Sequence, residues 1–185
     1  MSIDVLPVPG PGAEDVVVAT GGPDEGAVFT GTEDGAVWRI SHGGNRIDMV
    51  ADTGGRPLGI EIDLDGRLLV CDARLGLLRV DPRNGAVEHV ADKVAGVPMV
   101  FCNNAAIASD GSVWFSDSST RFGLERWKDD FVRDTRTGRL LRLGEDGTVE
   151  VVLDGLRFAN GWPCRPKSPT SPWPRPPAGP SYAAG

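Results

Sequence analysis

Apolar residues in this chain alternate with polar ones over short stretches, and turn dipeptides separate the stretches. The alternation is clear at Ile60 and Ile62, and again at Val113 and Phe115. Because successive side chains of a β-strand point to opposite faces, this period predicts strands. The strands are separated by dipeptides that favour tight hairpins: Asp34-Gly35, Asp65-Gly66, Asp110-Gly111 and Asp146-Gly147. The pattern therefore predicts antiparallel hairpins along most of the chain.

The hairpins recur as a longer repeat. Successive repeats begin at Glu14, Leu58 and Asn103, which are 44 and 45 residues apart. Four short antiparallel strands at a spacing of about 40–45 residues are typical of a β-propeller blade. We therefore predict an all-β fold, a partial β-propeller, with a β-sandwich or a stack of unrelated hairpins as the alternative. Its predicted extent is residues 1–161, with blades at about 14–52, 58–92 and 103–154 and the start of a fourth.

The third repeat is longer than the first two, because Asn103 and the next corresponding residue, Asn160, are 57 residues apart. The extra residues fall within 118–137 and carry mixed charges. We predict that they form a short helix or a flap. The tryptophans are predicted to pack within the blades, namely Trp38, Trp114 and Trp127.

Residues 162–185 differ in composition from the rest of the chain. They hold eight of the 15 prolines and no acidic residue. Since proline cannot donate the hydrogen bonds of a central strand, this segment does not continue the repeat. We predict a disordered tail or the product of a frame shift near Gly161, which the nucleotide sequence would decide. A natural proline-rich ligand of an SH3-like domain is the alternative.

Composition and charge narrow the class of protein. With 185 residues and 40% hydrophobic content, the chain can form the core of one domain. The net charge of -7 disfavours nucleic acid and anionic membranes as partners, because its field repels phosphate. The chain shows neither a long apolar segment nor a secretory signal, so we expect a soluble, cytoplasmic protein. Cys71, Cys102 and Cys164 indicate neither a disulfide framework nor a zinc site.

Polar doublets stand at corresponding places of the repeats, where a strand would be expected to open with an apolar residue: Glu14-Asp15, Asn103-Asn104 and Asn160-Gly161. Equivalent positions of successive blades point towards one shared axis. Carboxylate and amide oxygens are the ligands of a hard cation such as calcium. The doublets therefore predict a site for Ca²⁺, or another divalent cation, on that axis. Taken singly, they also fit a capped turn, a left-handed corner and a turn dipeptide.

Four segments carry a resemblance to a known family: GAEDVVV, RPLGIEIDLDGRLLVCDARLGLLRVDP, FCNNAAIASDGSVWFSDSS and TGRLLRLGEDGTVEVVLDGLRFANG. They resemble the strictosidine-synthase-like branch of the regucalcin/gluconolactonase superfamily, over residues 7–161. The resemblance implies a six-bladed β-propeller, of which this chain would hold about three blades. It also implies that Glu14, Asn103 and Asn160 bind calcium and that Asn103 contacts the substrate. Relatives have aspartate where this chain has Asn104.

The same resemblance implies a calcium-dependent hydrolase whose substrate is a lactone or a small ester. The cation would polarise the ester carbonyl as a Lewis acid. Relatives supply a fourth ligand, an aspartate, from a later blade, so we expect a truncated and inactive copy. Two alternatives stay open: the amine–aldehyde condensation of strictosidine synthase, and a non-catalytic propeller that serves as an interaction platform.

Other kinds of chemistry are not indicated. His42 lies in a predicted turn and His89 in a predicted outer strand, so neither is expected to act as a base. Serine-hydrolase, nucleotide-binding and zinc-protease motifs are absent from the sequence. The stretch Asp117-Ser118-Ser119 closes a predicted strand and is expected to form a turn, with substrate contact as the alternative. The sequence therefore indicates candidate ligands but no catalytic residue.

Overall fold

Three four-stranded antiparallel sheets make up most of the computed structural model, which describes residues 5–144 and 146–161. In each sheet every strand pairs with the strand that follows it in the chain. Such sheets are the blades of a β-propeller. The predicted all-β, propeller-type fold is confirmed. The predicted start of a fourth blade falls at residues 155–161, where the described chain forms no strand after Leu156. The proline-rich tail at 162–185 lies outside the described residues.

The strands follow one another with short connections. The first sheet contains β1 (Val16–Val18), β2 (Val28–Gly31), β3 (Ala36–Ile40) and β4 (Ile47–Asp52). The second contains β5 (Pro57–Ile62), β6 (Leu68–Asp72), β7 (Gly76–Val80) and β8 (Val87–Ala91). A small separate hairpin follows, formed by β9 (Lys93–Val94) and β10 (Val97–Pro98). The third sheet contains β11 (Cys102–Ile107), β12 (Val113–Asp117), β13 (Gly138–Leu143) and β14 (Val149–Leu156).

The Asp-Gly dipeptides form the predicted turns. Their glycines all have a positive φ, between 75° and 94°, at Gly35, Gly66, Gly111 and Gly147. Glycine adopts this conformation readily because it lacks a Cβ. The β9–β10 hairpin is not predicted, since strands of two residues carry no periodic signal.

The hydrophobic core lies between neighbouring sheets. Leu68 and Val70 of β6 pack towards the first sheet, while Leu69 and Cys71 pack towards the third. Because successive residues of a strand face opposite sides, β6 contributes to both interfaces and is buried along its whole length. Cys71 and Cys102 are free, buried cysteines.

The long connection between β12 and β13 is helical. It contains a 3₁₀ turn (Leu124–Arg126) and a helix α1 (Trp127–Arg133), so the predicted short helix is confirmed. Trp38 and Trp114 lie on β3 and β12, as predicted for packing within the blades. The prediction for Trp127 is wrong, because it begins α1 and is 39% exposed. Within the described part of the chain, no helix has the length and apolar character needed to cross a membrane.

The first strands of the three sheets lie side by side. Strand β5 contacts β1 on one side and β11 on the other. The contact with β11 is close at Gly59, where an added Cβ would lie 2.7 Å from the Asn104 Cα. The residues that precede these strands are therefore brought to one place in the molecule.

Candidate functional site

The three predicted metal ligands line one cavity. Glu14 precedes β1, Asn103 lies on β11, and Asn160 follows β14. The cavity has a volume of about 590 Å³ and lies where the first strands of the three sheets begin. Its remaining lining residues are Glu33, Arg56, Leu58, Arg74, Phe101, Leu124, Trp127 and Phe158.

A buried chain of hydrogen bonds orients Asn103. Its side chain is 3% exposed, and its Nδ2 donates to Ser118 Oγ at 2.8 Å. The Ser118 hydroxyl donates in turn to the Ala159 carbonyl at 2.6 Å, so it offers Asn103 only a lone pair. This arrangement distinguishes the two ends of the amide. Asn103 Oδ1 is left without a hydrogen-bond partner among the described residues.

A β-bulge places Asn103 on β11. The register between β11 and β12 shifts between Cys102 and Ala105, which leaves the two asparagines within the irregular segment. Bulges of this kind change the direction of a side chain relative to the regular strand. Neither Asn103 nor Asn104 has a positive φ, so the alternative of a left-handed corner is wrong.

Glu14 and Asp15 differ in their surroundings. Asp15 connects the first two sheets, since its Oδ2 accepts a hydrogen bond from the Ile60 N–H at 3.1 Å. Glu14 is largely exposed and has no hydrogen-bond partner among the described residues. The cavity wall nevertheless displaces water from part of the carboxylate. This burial raises the pKa of Glu14, the charge of Asp15 raises it further, and Arg56 acts in the opposite direction.

Asn160 is exposed at the end of the described chain. Its Oδ1 accepts a hydrogen bond from the Gly161 N–H at 2.7 Å and keeps a second lone pair. The nearby Phe158 has a φ of 49°, which is uncommon for an aromatic residue. Packing supports this conformation, because the Phe158 and Phe101 rings meet edge to face at 5.2 Å.

Two arginines in the cavity are not predicted by the pattern of polar doublets. Arg56 is 7% exposed, and its Nη1 is buried without a hydrogen-bond partner among the described residues. Arg74 is more exposed and forms an ion pair with Glu125 of the 3₁₀ turn at 2.8 Å. The available signal for Arg56 is a charged residue directly before the apolar strand β5.

One wall of the cavity is apolar and comes partly from the β12–β13 connection. Leu124 and Trp127 belong to that connection, and the Trp127 ring lies 6.1 Å from the ring of Phe158. Phe101 completes the wall. A cavity lined by both polar groups and aromatic rings favours a ligand with a polar and an apolar part.

The stretch Asp117-Ser118-Ser119 is buried, and Asp117 still belongs to β12. The predicted turn begins at Ser119, whose Oγ accepts hydrogen bonds from the Arg121 and Phe122 N–H groups at 3.1 Å. The Ser118 N–H donates to the Phe101 carbonyl at 2.8 Å, which extends the pairing with the residues before β11. Asp117 accepts a hydrogen bond from the Phe101 N–H at 2.8 Å. Asp117 and Ser118 thus hold the backbone of Phe101, which lines the cavity. His42 and His89 are not among the cavity residues.

The polar residues can supply part of a calcium coordination shell. Glu14 offers a carboxylate, and the two asparagines offer amide oxygens, which are oxygen ligands that calcium accepts. The unpaired Asn103 Oδ1 favours a bound cation, because a buried oxygen without a partner is costly. The positive charge of Arg56 disfavours a bound cation, because like charges repel each other. The described residues contain no group of three or more His, Cys, Asp or Glu side chains that could hold a metal.

Known proteins share both the sequence and the fold. The chain matches the family model described as the SMP-30/gluconolactonase/LRE-like region over residues 23–170. It is 35% identical to the adipocyte plasma membrane-associated protein of Salmo salar, over 72% of this chain and 36% of that protein. It is 33% identical to the protein strictosidine synthase-like 4 of Arabidopsis thaliana, over 75% of this chain and 39% of that protein.

A solved gluconolactonase from Xanthomonas campestris has the same fold over the matched part. The TM-score is 0.56 at 19% identity, over 70% of this chain and 44% of that chain. The chain thus spans 36% and 39% of the two curated relatives and 44% of the solved structure. The resemblance drawn from the sequence segments is confirmed by these matches. The chain belongs to the SMP-30/gluconolactonase/LRE-like family.

Proposed function

We propose that this chain contributes the calcium-binding part of a hydrolase that acts on a lactone or a small ester. The observation that carries the proposal is the buried, unpartnered Oδ1 of Asn103, in the same cavity as Glu14 and Asn160. Membership of the gluconolactonase-like family supports it.

The residues of the chain would act together as ligands and as a support. Glu14, Asn103 and Asn160 would hold the cation, and Ser118 keeps the Asn103 oxygen turned away from its own hydroxyl. Calcium, when bound, polarises the ester carbonyl as a Lewis acid. The wall of Phe101, Trp127 and Phe158 would hold the apolar part of the substrate and limit the access of water.

The fourth ligand implied by the resemblance is an aspartate from a later blade. Calcium takes roughly six to eight oxygen ligands, so three side chains form an incomplete shell. Binding of calcium is therefore the first property to measure, and hydrolysis the second. We expect the chain by itself to bind calcium weakly and to turn over lactones slowly or not at all.

The test is isothermal titration of calcium into the full chain and into Glu14→Gln. We expect the substitution to weaken calcium binding by about tenfold or more, because it removes the one charged ligand. Glu61→Gln is a matched control, since burial likewise raises the pKa of Glu61 but this residue does not line the cavity. Equal calcium affinity in the wild type and Glu14→Gln would refute the metal site.

Hydrolysis is measured separately, by acid release from a panel of lactones and aryl esters with calcium or with EDTA. Calcium-dependent acid release that Glu14→Gln removes would support the hydrolase. A chain that binds no calcium and releases no acid would instead fit the interaction platform.

A further inference from the structure

Arg56 is a buried cation that has no ion pair within the described part of the chain. Its Nη1 is buried and lacks a hydrogen-bond partner there. Four other arginines also have a buried, unpaired nitrogen, but each forms an ion pair through the same side chain: Arg67, Arg79, Arg139 and Arg142. Among the described arginines that have such a nitrogen, Arg56 is therefore the one that is buried as a whole residue and forms no ion pair.

The position of Arg56 points to a ligand. The residue lines the same cavity as Asn103 and the apolar wall of Phe101, Trp127 and Phe158. A guanidinium in a cavity costs free energy unless an anion compensates its charge. The planar donors of arginine suit a carboxylate, which can accept two parallel hydrogen bonds.

We propose that Arg56 binds the carboxylate of a small organic acid, with the apolar part of that acid against the aromatic wall. The inference deepens the proposed function, because hydrolysis of a lactone adds water across the C–O bond and yields a carboxylate, an alcohol and a proton. The carboxylate at Arg56 is thus either the one released by ring opening or one already present on the substrate.

The first experiment uses the wild-type chain in EDTA, so that it depends on neither calcium nor turnover. Phenylacetate and phenylacetamide are titrated in parallel by calorimetry, since they share the ring and differ in charge. We expect the acid to bind at least about tenfold more tightly than the amide, the effect of a charged hydrogen-bonded pair. Equal affinities would overturn the proposal.

The second experiment assigns the effect to Arg56. We expect Arg56→Met to reduce phenylacetate affinity about tenfold and leave phenylacetamide affinity unchanged. Arg74→Met is the matched control, because Arg74 lines the same cavity but is already paired with Glu125. If Arg56→Met does not fold, Arg56→Lys replaces it. We expect Arg56→Lys to bind phenylacetate more weakly than the wild type, because the lysine ammonium lacks the planar paired donors of arginine. Phenylacetate binding that is unaffected by the folded substitution would also overturn the proposal.

Two further ligands distinguish the source of the carboxylate. Gluconate represents the ring-opened acid, and glucarolactone is an intact lactone that carries a separate carboxylate. If Arg56→Met weakens the binding of gluconate alone, the site binds the carboxylate of the product. If it weakens the binding of glucarolactone, the site binds a carboxylate of the substrate. Binding that needs Arg56 in a chain without calcium affinity would contradict the proposed hydrolase while supporting this inference.

Discussion

At the scale of single residues, Ser118 controls what Asn103 presents to the cavity. The hydroxyl donates to the Ala159 carbonyl and accepts from the Asn103 Nδ2, at 2.6 Å and 2.8 Å. The amide therefore turns its oxygen away from the serine. In the proposed calcium site, Ser118 would thus decide whether the Asn103 oxygen is available to the cation.

We expect Ser118→Ala to lower the free energy of unfolding by about 1–2 kcal/mol, because it removes two hydrogen bonds. It should also weaken calcium binding, since the Asn103 amide loses its fixed orientation. Urea unfolding and calorimetry measure the two effects. Ser41→Ala is the control, because the Ser41 hydroxyl accepts one exposed hydrogen bond, from the Arg46 N–H, and its expected effect is within about 0.5 kcal/mol. Unchanged calcium affinity in Ser118→Ala would contradict the orienting role.

Glu61 gives the pH dependence of stability a definite sign. Burial raises the pKa of Glu61 above its ordinary value of 4.5, and the charge of Asp15 raises it further. The folded state therefore binds a proton more readily than the unfolded state. This contribution to stability is fully present below the ordinary value and is lost as the pH rises through the raised pKa.

We therefore expect Glu61→Gln to be more stable than the wild type at pH 7 and equally stable below pH 4.5, the ordinary value. Thermal unfolding of the wild type and Glu61→Gln across this pH range measures the difference in stability. A stability difference that does not vary with pH would show that the carboxylate is not the cause.

At the scale of elements, a buried ion pair joins the strands β12 and β13 next to the cavity residue Phe101. Asp117 ends β12 and is fully buried, and its Oδ2 accepts a hydrogen bond from Arg139 Nη2 on β13 at 2.5 Å. Its Oδ1 accepts the Phe101 N–H at 2.8 Å, which ties the strand pair to the residue before β11. The ion pair thus connects three strands at the level of the site.

We expect Arg139→Met to destabilise the protein by about 3–5 kcal/mol, because it leaves the buried Asp117 carboxylate without its cation. Arg142→Met is a matched control on the same strand. Arg142 pairs with Glu150 at 3.8 Å, and both side chains are exposed, at 43% and 63%. Its loss should cost no more than about 1 kcal/mol. Equal destabilisation by the two substitutions in urea would contradict this assignment.

At the scale of the whole molecule, the site depends on how closely the sheets approach one another. Gly59 of β5 faces the backbone of β11, and an added Cβ would lie 2.9 Å from the Asn103 carbonyl oxygen. Because the nearest atoms belong to the backbone, a side chain here could be accommodated only if the sheets separate. The position of Asn103 is thus coupled to the packing of the second sheet against the third.

We expect Gly59→Ala to lower the free energy of unfolding by about 1–3 kcal/mol and to weaken calcium binding. Gly21→Ala is the control, because an added Cβ there meets no atom within 4 Å. Urea unfolding and calcium titration of both variants provide the comparison. A Gly59→Ala protein with wild-type stability and affinity would refute the coupling.

The sequence by itself determined the repeat and the turns. Alternating apolar residues and Asp-Gly dipeptides are local signals, because strand period and turn conformation depend on neighbouring residues. The family resemblance adds Glu14, Asn103 and Asn160, and the structure brings these three residues to one cavity.

Only the tertiary structure decided how that cavity is built. The orientation of Asn103 depends on Ser118 and Ala159, and Ala159 lies 56 residues further along the chain than Asn103. The lack of an ion pair at Arg56 and the place of Trp127 likewise follow from the packing of distant segments. Contacts between residues far apart in the chain produce no periodic pattern in the sequence. These contacts nevertheless decide which polar atoms are left without a hydrogen-bond partner.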